Sequence, residues 1–159
     1  MIIVKKYVFF EVLFVALSVV FIVASVSNAS VHTSKTASEL SSSIIDMMST
    51  DDINERDINF VAEKYSIDTS VFSSVSCYSS DDVMNVSELL VCVFNDSSDE
   101  SILTLIEKYS DERYNLYNGY AQKQSALISN CIISIDSGAL FFCVDENAEK
   151  IYSHFLEIV

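Results

Sequence analysis

The sequence predicts an α+β domain. Two ββα units would build a four-stranded antiparallel sheet with helices on one face, behind a membrane-directed leader and short N-terminal helices. Three observations lead there. The runs Leu89-Leu90-Val91-Cys92-Val93-Phe94 and Ala139-Leu140-Phe141-Phe142-Cys143-Val144 are continuously apolar and short enough to be buried strands. Each is followed by an acidic turn and a helical apolar repeat. Aligned on the strands, Cys92 and Cys143 fall at equivalent positions, so the second half echoes the first.

The chain opens with Lys5 and Lys6, then runs from Tyr7 to Val26 with only Glu11, Ser18 and Ser25 breaking its apolar character. Ser27-Asn28-Ala29-Ser30 follows. A basic start, a long apolar stretch and small residues at its exit mark export across a membrane. The length suits both a cleaved signal peptide and a retained span of about 20 residues, and both outcomes stay open. In either case the lysines hold the N-terminus inside, which puts the rest of the chain beyond the cytoplasm. There is no Cys directly after the apolar run to carry a lipid. Glu11 is read as a charge at the membrane edge rather than as a pilin-type residue, because no small residue precedes it for processing. Residues 1–26 are therefore the leader or anchor, 27–36 a polar tether and 37–159 an extracytoplasmic domain.

Within the domain, Ala37, Leu40, Ile44, Ile45 and Met48 recur at helical steps. Asp51-Asp52 interrupts them, and Ile53, Ile58, Val61 and Ala62 continue in a second short helix ending near Tyr65. Val71, Val75 and Cys77 sit in a stretch poor in helix formers, and Ser79-Ser80-Asp81-Asp82 turns the chain into the first apolar strand. Ser97 and Glu100 have capping-box spacing for the next helix. Ile102, Leu105, Ile106, Tyr109, Arg113, Leu116 and Tyr117 trace one face of that helix. Asn118-Gly119 ends or kinks it, with a short continuation from Ala121 to Ile128. Cys131 to Ile135 reads as a strand, Asp136-Ser137-Gly138 as a hairpin turn, and Leu140 to Val144 as its partner. Glu146 to Val159 reads as the last helix, with apolar positions at Ala148, Ile151, Tyr152, Phe155, Leu156 and Val159.

The stretches Asp57 with Glu63-Lys64-Tyr65-Ser66-Ile67-Asp68, and Met84-Asn85-Val86-Ser87-Glu88-Leu89 through Phe94, resemble the domain of unknown function numbered 4358. Tyr117-Asn118-Gly119-Tyr120, Leu127 to Cys131, Gly138 to Val144 and Asp145 to Phe155 fit the same outline. The resemblance covers most of residues 55–158. It implies a small exported protein, of a kind often anchored by lipid, and it carries no activity. This chain departs from the family in lacking the lipid-attachment Cys.

Composition excludes several classes. A net charge of −14, with nine Lys and Arg against 23 Asp and Glu, argues against nucleic acid or anionic lipid headgroups as ligands. No proline and two glycines leave turns to Ser, Asn and Asp side chains. Cys77, Cys92, Cys131 and Cys143 are candidate disulfide partners outside the cytoplasm, in any of three connectivities, or buried thiols in apolar strands. No CxxC pattern or neighbouring His suggests a metal, and no cofactor motif occurs. His32 lies in the tether and His154 near a helix end, so neither is placed to activate a nucleophile. Asp51-Asp52, Asp81-Asp82 and Asp99-Glu100 lack the glycine and distal Glu of an EF-hand loop. Asn28, Asn85 and Asn95 lie in N-x-S sequons. Tyr109, Tyr117 and Tyr120 share the apolar side of the long helix, while Tyr114 lies off it.

The expected function is a membrane-tethered, non-enzymatic binding or accessory module. It would hold membrane lipid through residues 7–26 and meet an envelope protein outside the cell membrane, or be secreted. The alternatives are an extracytoplasmic hydrolase using Asp/Glu carboxylates and, more distantly, a pilin-like subunit.

Overall fold

A computed structural model describes residues 32–95 and 101–159. The leader at 1–26, the Ser97/Glu100 capping box and the Asp99-Glu100 pair lie outside the described residues. Among the described residues no helix is long and apolar enough to cross a membrane.

In order, the elements are α1 (Ala37–Ile44), β1 (Asn54–Arg56), α2 (Ile58–Tyr65), β2 (Phe72–Ser79) and β3 (Glu88–Phe94), then α3 (Ser101–Tyr117), α4 (Gln122–Ser129), β4 (Ile132–Asp136), β5 (Ala139–Val144) and α5 (Ala148–Ile158). Short 3-10 turns occupy Ile45–Met47 and Thr69–Val71. The helix starts follow from local chemistry. The Thr36 hydroxyl accepts the Glu39 N–H while the Glu39 carboxylate accepts the Thr36 N–H, a reciprocal cap for α1. Asp57 caps α2 by accepting the Phe60 N–H at 2.9 Å, and Ser66 ends that helix in the left-handed region.

The α+β reading holds, but the sheet has five antiparallel strands, in the order β1-β2-β3-β5-β4, rather than four. The added strand is β1, read from sequence as part of a helix. Its three residues pair with Cys77 to Ser79 and show no apolar alternation that could announce them. The helices also cover both faces of the sheet, not one. Leu90, Cys92 and Phe94 of β3 and Leu140, Phe142 and Val144 of β5 pack with α2, α3 and α4. Leu89, Val91 and Val93, with Ala139, Phe141 and Cys143, pack with α1 and α5. A strand buried on both sides is apolar at every position, as β3 and β5 are after Glu88.

The two ββα units are therefore β2-β3-α3 and β4-β5-α5, joined through the β3–β5 pairing, with their long helices on opposite faces. Cys92 faces the α3 side and Cys143 the α5 side, so each points toward its own unit's helix and away from the other.

The chain enters the described domain at His32, beside the β4–β5 turn. The Thr33 N–H donates to the Ser137 carbonyl at 2.7 Å, and the His32 ring occupies the space where a side chain on Gly138 would go. That turn has Ser137 at φ 48° and Gly138 at φ 74°, the geometry of a two-residue hairpin whose central residues are both left-handed.

Candidate functional site

Glu88 is the most unusual residue in the fold: an acidic side chain at the first position of a fully buried strand, with no exposure at all. Burying an unpaired carboxylate is prohibitive, so its surroundings must supply compensation. α2 supplies Lys64, whose Nζ lies 2.6 Å from Oε1, and Tyr65, whose hydroxyl donates to the same oxygen. α3 supplies Arg113, which donates to Oε2, and Tyr109, whose hydroxyl reaches Oε2 at 3.1 Å. The tyrosines also pack edge-on against each other and against Phe142, with centroids 4.7 to 6.1 Å apart. Lys64 lies over the Phe60 ring at 4.9 Å. One carboxylate thus joins a strand to two helices.

The Cys77 thiol lies 3.7 Å from the Tyr65 hydroxyl. Since that hydroxyl donates to Glu88, the thiol is the donor in its turn, giving a chain from Cys77 through Tyr65 to Glu88. Burial, with the Glu88 charge behind it, pushes the Cys77 thiol up to about 12. The same causes, in the same order, raise Tyr65 and Tyr109. Every one of these groups is held in its protonated form. The carboxylate has both oxygens engaged by donors, so no lone pair stands open to a substrate, and a general base needs one. The cluster is a polar tie inside the core.

The other sequence candidates are dispersed. All four thiols are free: Cys77 and Cys92 on the α3 face, Cys143 on the α5 face, and Cys131 just before β4, 3.2 Å from the Ser110 hydroxyl. Burial raises the pKa values of Cys92, Cys131 and Cys143. Half-buried His154 lies 3.2 Å from Glu157. Asp52 and Asp81 brace the β1 side of the sheet, Asp52 accepting from the Ser80 hydroxyl and Asp81 pairing with Arg56 at 2.7 Å. Among the described residues no group of three or more His, Cys, Asp or Glu could hold a metal ion.

The tyrosines divide. Tyr117 is a core residue and Tyr109 packs half-buried against the core, whereas Tyr120 stacks on Tyr117 at 5.8 Å and stays 64% exposed. The Tyr117 hydroxyl donates to the Val83 carbonyl and binds the β2–β3 loop to the end of α3. Val83 and Met84 of that loop, and Leu116 beside Tyr117 on α3, are 77, 48 and 63% exposed. Leu116 therefore faces outward, although its spacing put it on the buried side. This apolar end and the His32 entry lie at opposite ends of β3, about 20 Å apart at the strand's rise per residue.

Sequence reading missed the Glu88 cluster. Its signal was Arg113, a permanent cation on an otherwise apolar helical face, which demands a buried partner.

No curated protein and no solved structure matches the chain. The family comparison matches residues 46–145, from the turn after α1 to the end of β5 and so including the whole Glu88 cluster, and the chain belongs to the family described as Domain of unknown function (DUF4358).

Proposed function

We propose that the chain is a non-enzymatic binding module, tethered outside the cytoplasmic membrane by its N-terminal segment, that offers its Val83–Tyr120 end to an envelope protein. The observation that carries this reading is the position of that end. Exposed apolar and aromatic groups occur at the opposite end of β3 from His32, where the chain arrives from the leader. A tether at one end leaves the other free to meet a partner. Tyrosine there supplies contact area at low entropic cost, and the net charge of −14 keeps the module off anionic lipid headgroups. For the hydrolase alternative, glycoside chemistry needs two carboxyl groups about 5–9 Å apart around an open site. The deepest carboxylate here faces two cations instead.

The test places a photo-crosslinking residue at Val83, at Tyr120 and, as a control, at exposed Ser153 on α5, in cells also carrying a C-terminal topology reporter. The expected result is an extracytoplasmic reporter signal and a discrete protein adduct from Val83 and Tyr120 but not from Ser153. A reporter active only in the cytoplasm, or equal labelling at all three positions, would overturn the reading.

A further inference from the structure

A second surface, independent of the Val83–Tyr120 end, lies along β4. Among the described residues this strand closes one side of the sheet and pairs only with β5. The two-residue turn makes Asp136 and Ala139 the first hydrogen-bonded pair, and the alternation that follows turns Ser134 and Ile132 inward. The backbone N–H and C=O groups of Ile133 and Ile135 therefore point away from the sheet.

Natural sheets blunt such edges with proline, lysine or a bulge. β4 reads Ile-Ile-Ser-Ile-Asp, its register with β5 is unbroken, and the chain contains no proline. Its single charge, Asp136, is occupied by the Ser134 and Tyr152 hydroxyls at 2.6 and 2.9 Å. A groove opens on each side of the start of β4. One, of about 330 Å³, lies between β4 and α3 and is lined by Ile133, Asp111 and Tyr114. The other, of about 660 Å³, lies between β4 and the start of α5 and is lined by Ile132 and Glu149. Successive residues of a strand point to opposite faces, so a strand added here would send its side chains into the two grooves in turn.

Charge selects the occupant. Glu107 and Asp111 border the first groove; Glu146 and Glu149 border the second, against Lys150. A second copy of this acidic chain would bring like charges together on both sides. We infer that the β4 edge accepts an extended, lysine- or arginine-bearing segment of a partner protein as a sixth strand. Backbone pairing at Ile133 and Ile135 would hold it, and carboxylates on both sides would select its side chains.

The probe is a fluorescent ten-residue peptide of two lysines and two valines in turn, which puts lysine on both of its faces, titrated into the full-length protein. Its controls are a glutamate–valine counterpart and a lysine–valine copy methylated on alternate backbone nitrogens. The expected result is saturable binding of the first peptide, at least tenfold weaker binding of both controls, and slowed amide exchange at Ile133 and Ile135. Ile133→Pro should abolish binding, and the pair Asp111→Lys with Glu149→Lys should weaken it at least tenfold, which keeps the test decisive if the proline variant fails to fold. Equal binding of the methylated copy, unprotected Ile133 and Ile135 amides, or a self-associated dimer through β4 would overturn the proposal.

Discussion

Replacing Glu88 by glutamine tests the central tie of this fold. The substitution keeps the side chain's shape and one acceptor oxygen but removes the charge that Lys64, at 2.6 Å, and Arg113 both contact. Breaking a buried ion pair by deleting one partner costs about 3–5 kcal/mol, because the other charge is left uncompensated. Here two cations are stranded, and the new amide turns N–H donors toward donors. The Lys64 and Arg113 side chains keep 21 and 18% of their surface exposed, so each can lean toward water, which favours the lower end at about 3 kcal/mol. With a urea slope of about 1.5 kcal/mol/M, that lowers the unfolding midpoint by about 2 M. The assay is urea denaturation at pH 7 of the wild type, Glu88→Gln, Arg113→Met and the double variant. The two single losses should exceed the double loss, since the second change removes a charge already unpaired. Glu112→Gln, which breaks the exposed Lys108–Glu112 pair at 3.8 Å, should leave the midpoint unchanged. A Glu88→Gln loss below about 1 kcal/mol, or strictly additive single losses, would refute a cluster stabilised by mutual compensation.

Two further outcomes are expected. Asp145, almost fully buried, accepts the Ser49 N–H at 3.0 Å, the Ser49 hydroxyl at 2.8 Å and the Asn147 N–H at 2.8 Å. Asp145→Ala should therefore cost about 2–3 kcal/mol and speed amide exchange at Ser49, and an unchanged Ser49 exchange rate would contradict the clamp. The Cys77 thiol, raised from 9.0 to about 12, keeps its proton in the folded state where the unfolded chain loses it. Its contribution is complete below pH 9 and disappears as the pH climbs to 12, worth at most about 4 kcal/mol. Cys92 and Cys143 shift in the same direction. Urea midpoints should fall between pH 9 and 10.5, and less so in Cys77→Ala; a flat profile would contradict the burial of these thiols.

Most of the core was legible because periodicity reports burial directly. The strands β3, β4 and β5, the helices α3, α4 and α5 and the hairpin turn all follow from apolar spacing and turn residues. The placement of helices on both faces was written there too, in strands with no polar position after Glu88, but the ββα grammar suggested a one-sided arrangement. β1 had no such signal, because Asn54, Glu55 and Arg56 are held by pairing with β2 rather than by apolar burial. The Glu88 cluster draws on α2, β3 and α3, segments distant along the chain. Only the misplaced polarity of Glu88 and Arg113 announced it. The apolar end was obscured because Leu116 was grouped with the buried face, whereas the residue after it, Tyr117, is the one that enters the core and Leu116 is left outward.

The opposed placement of the two long helices has a consequence for how the molecule comes apart. Each hydrophobic layer is stitched from both halves of the polypeptide, so neither half owns an interior of its own. A break between α4 and β4 should leave two pieces that each lack part of both cores, instead of releasing a stable subdomain. Mixed together, those pieces have every reason to reassemble, because each carries the surface the other lacks.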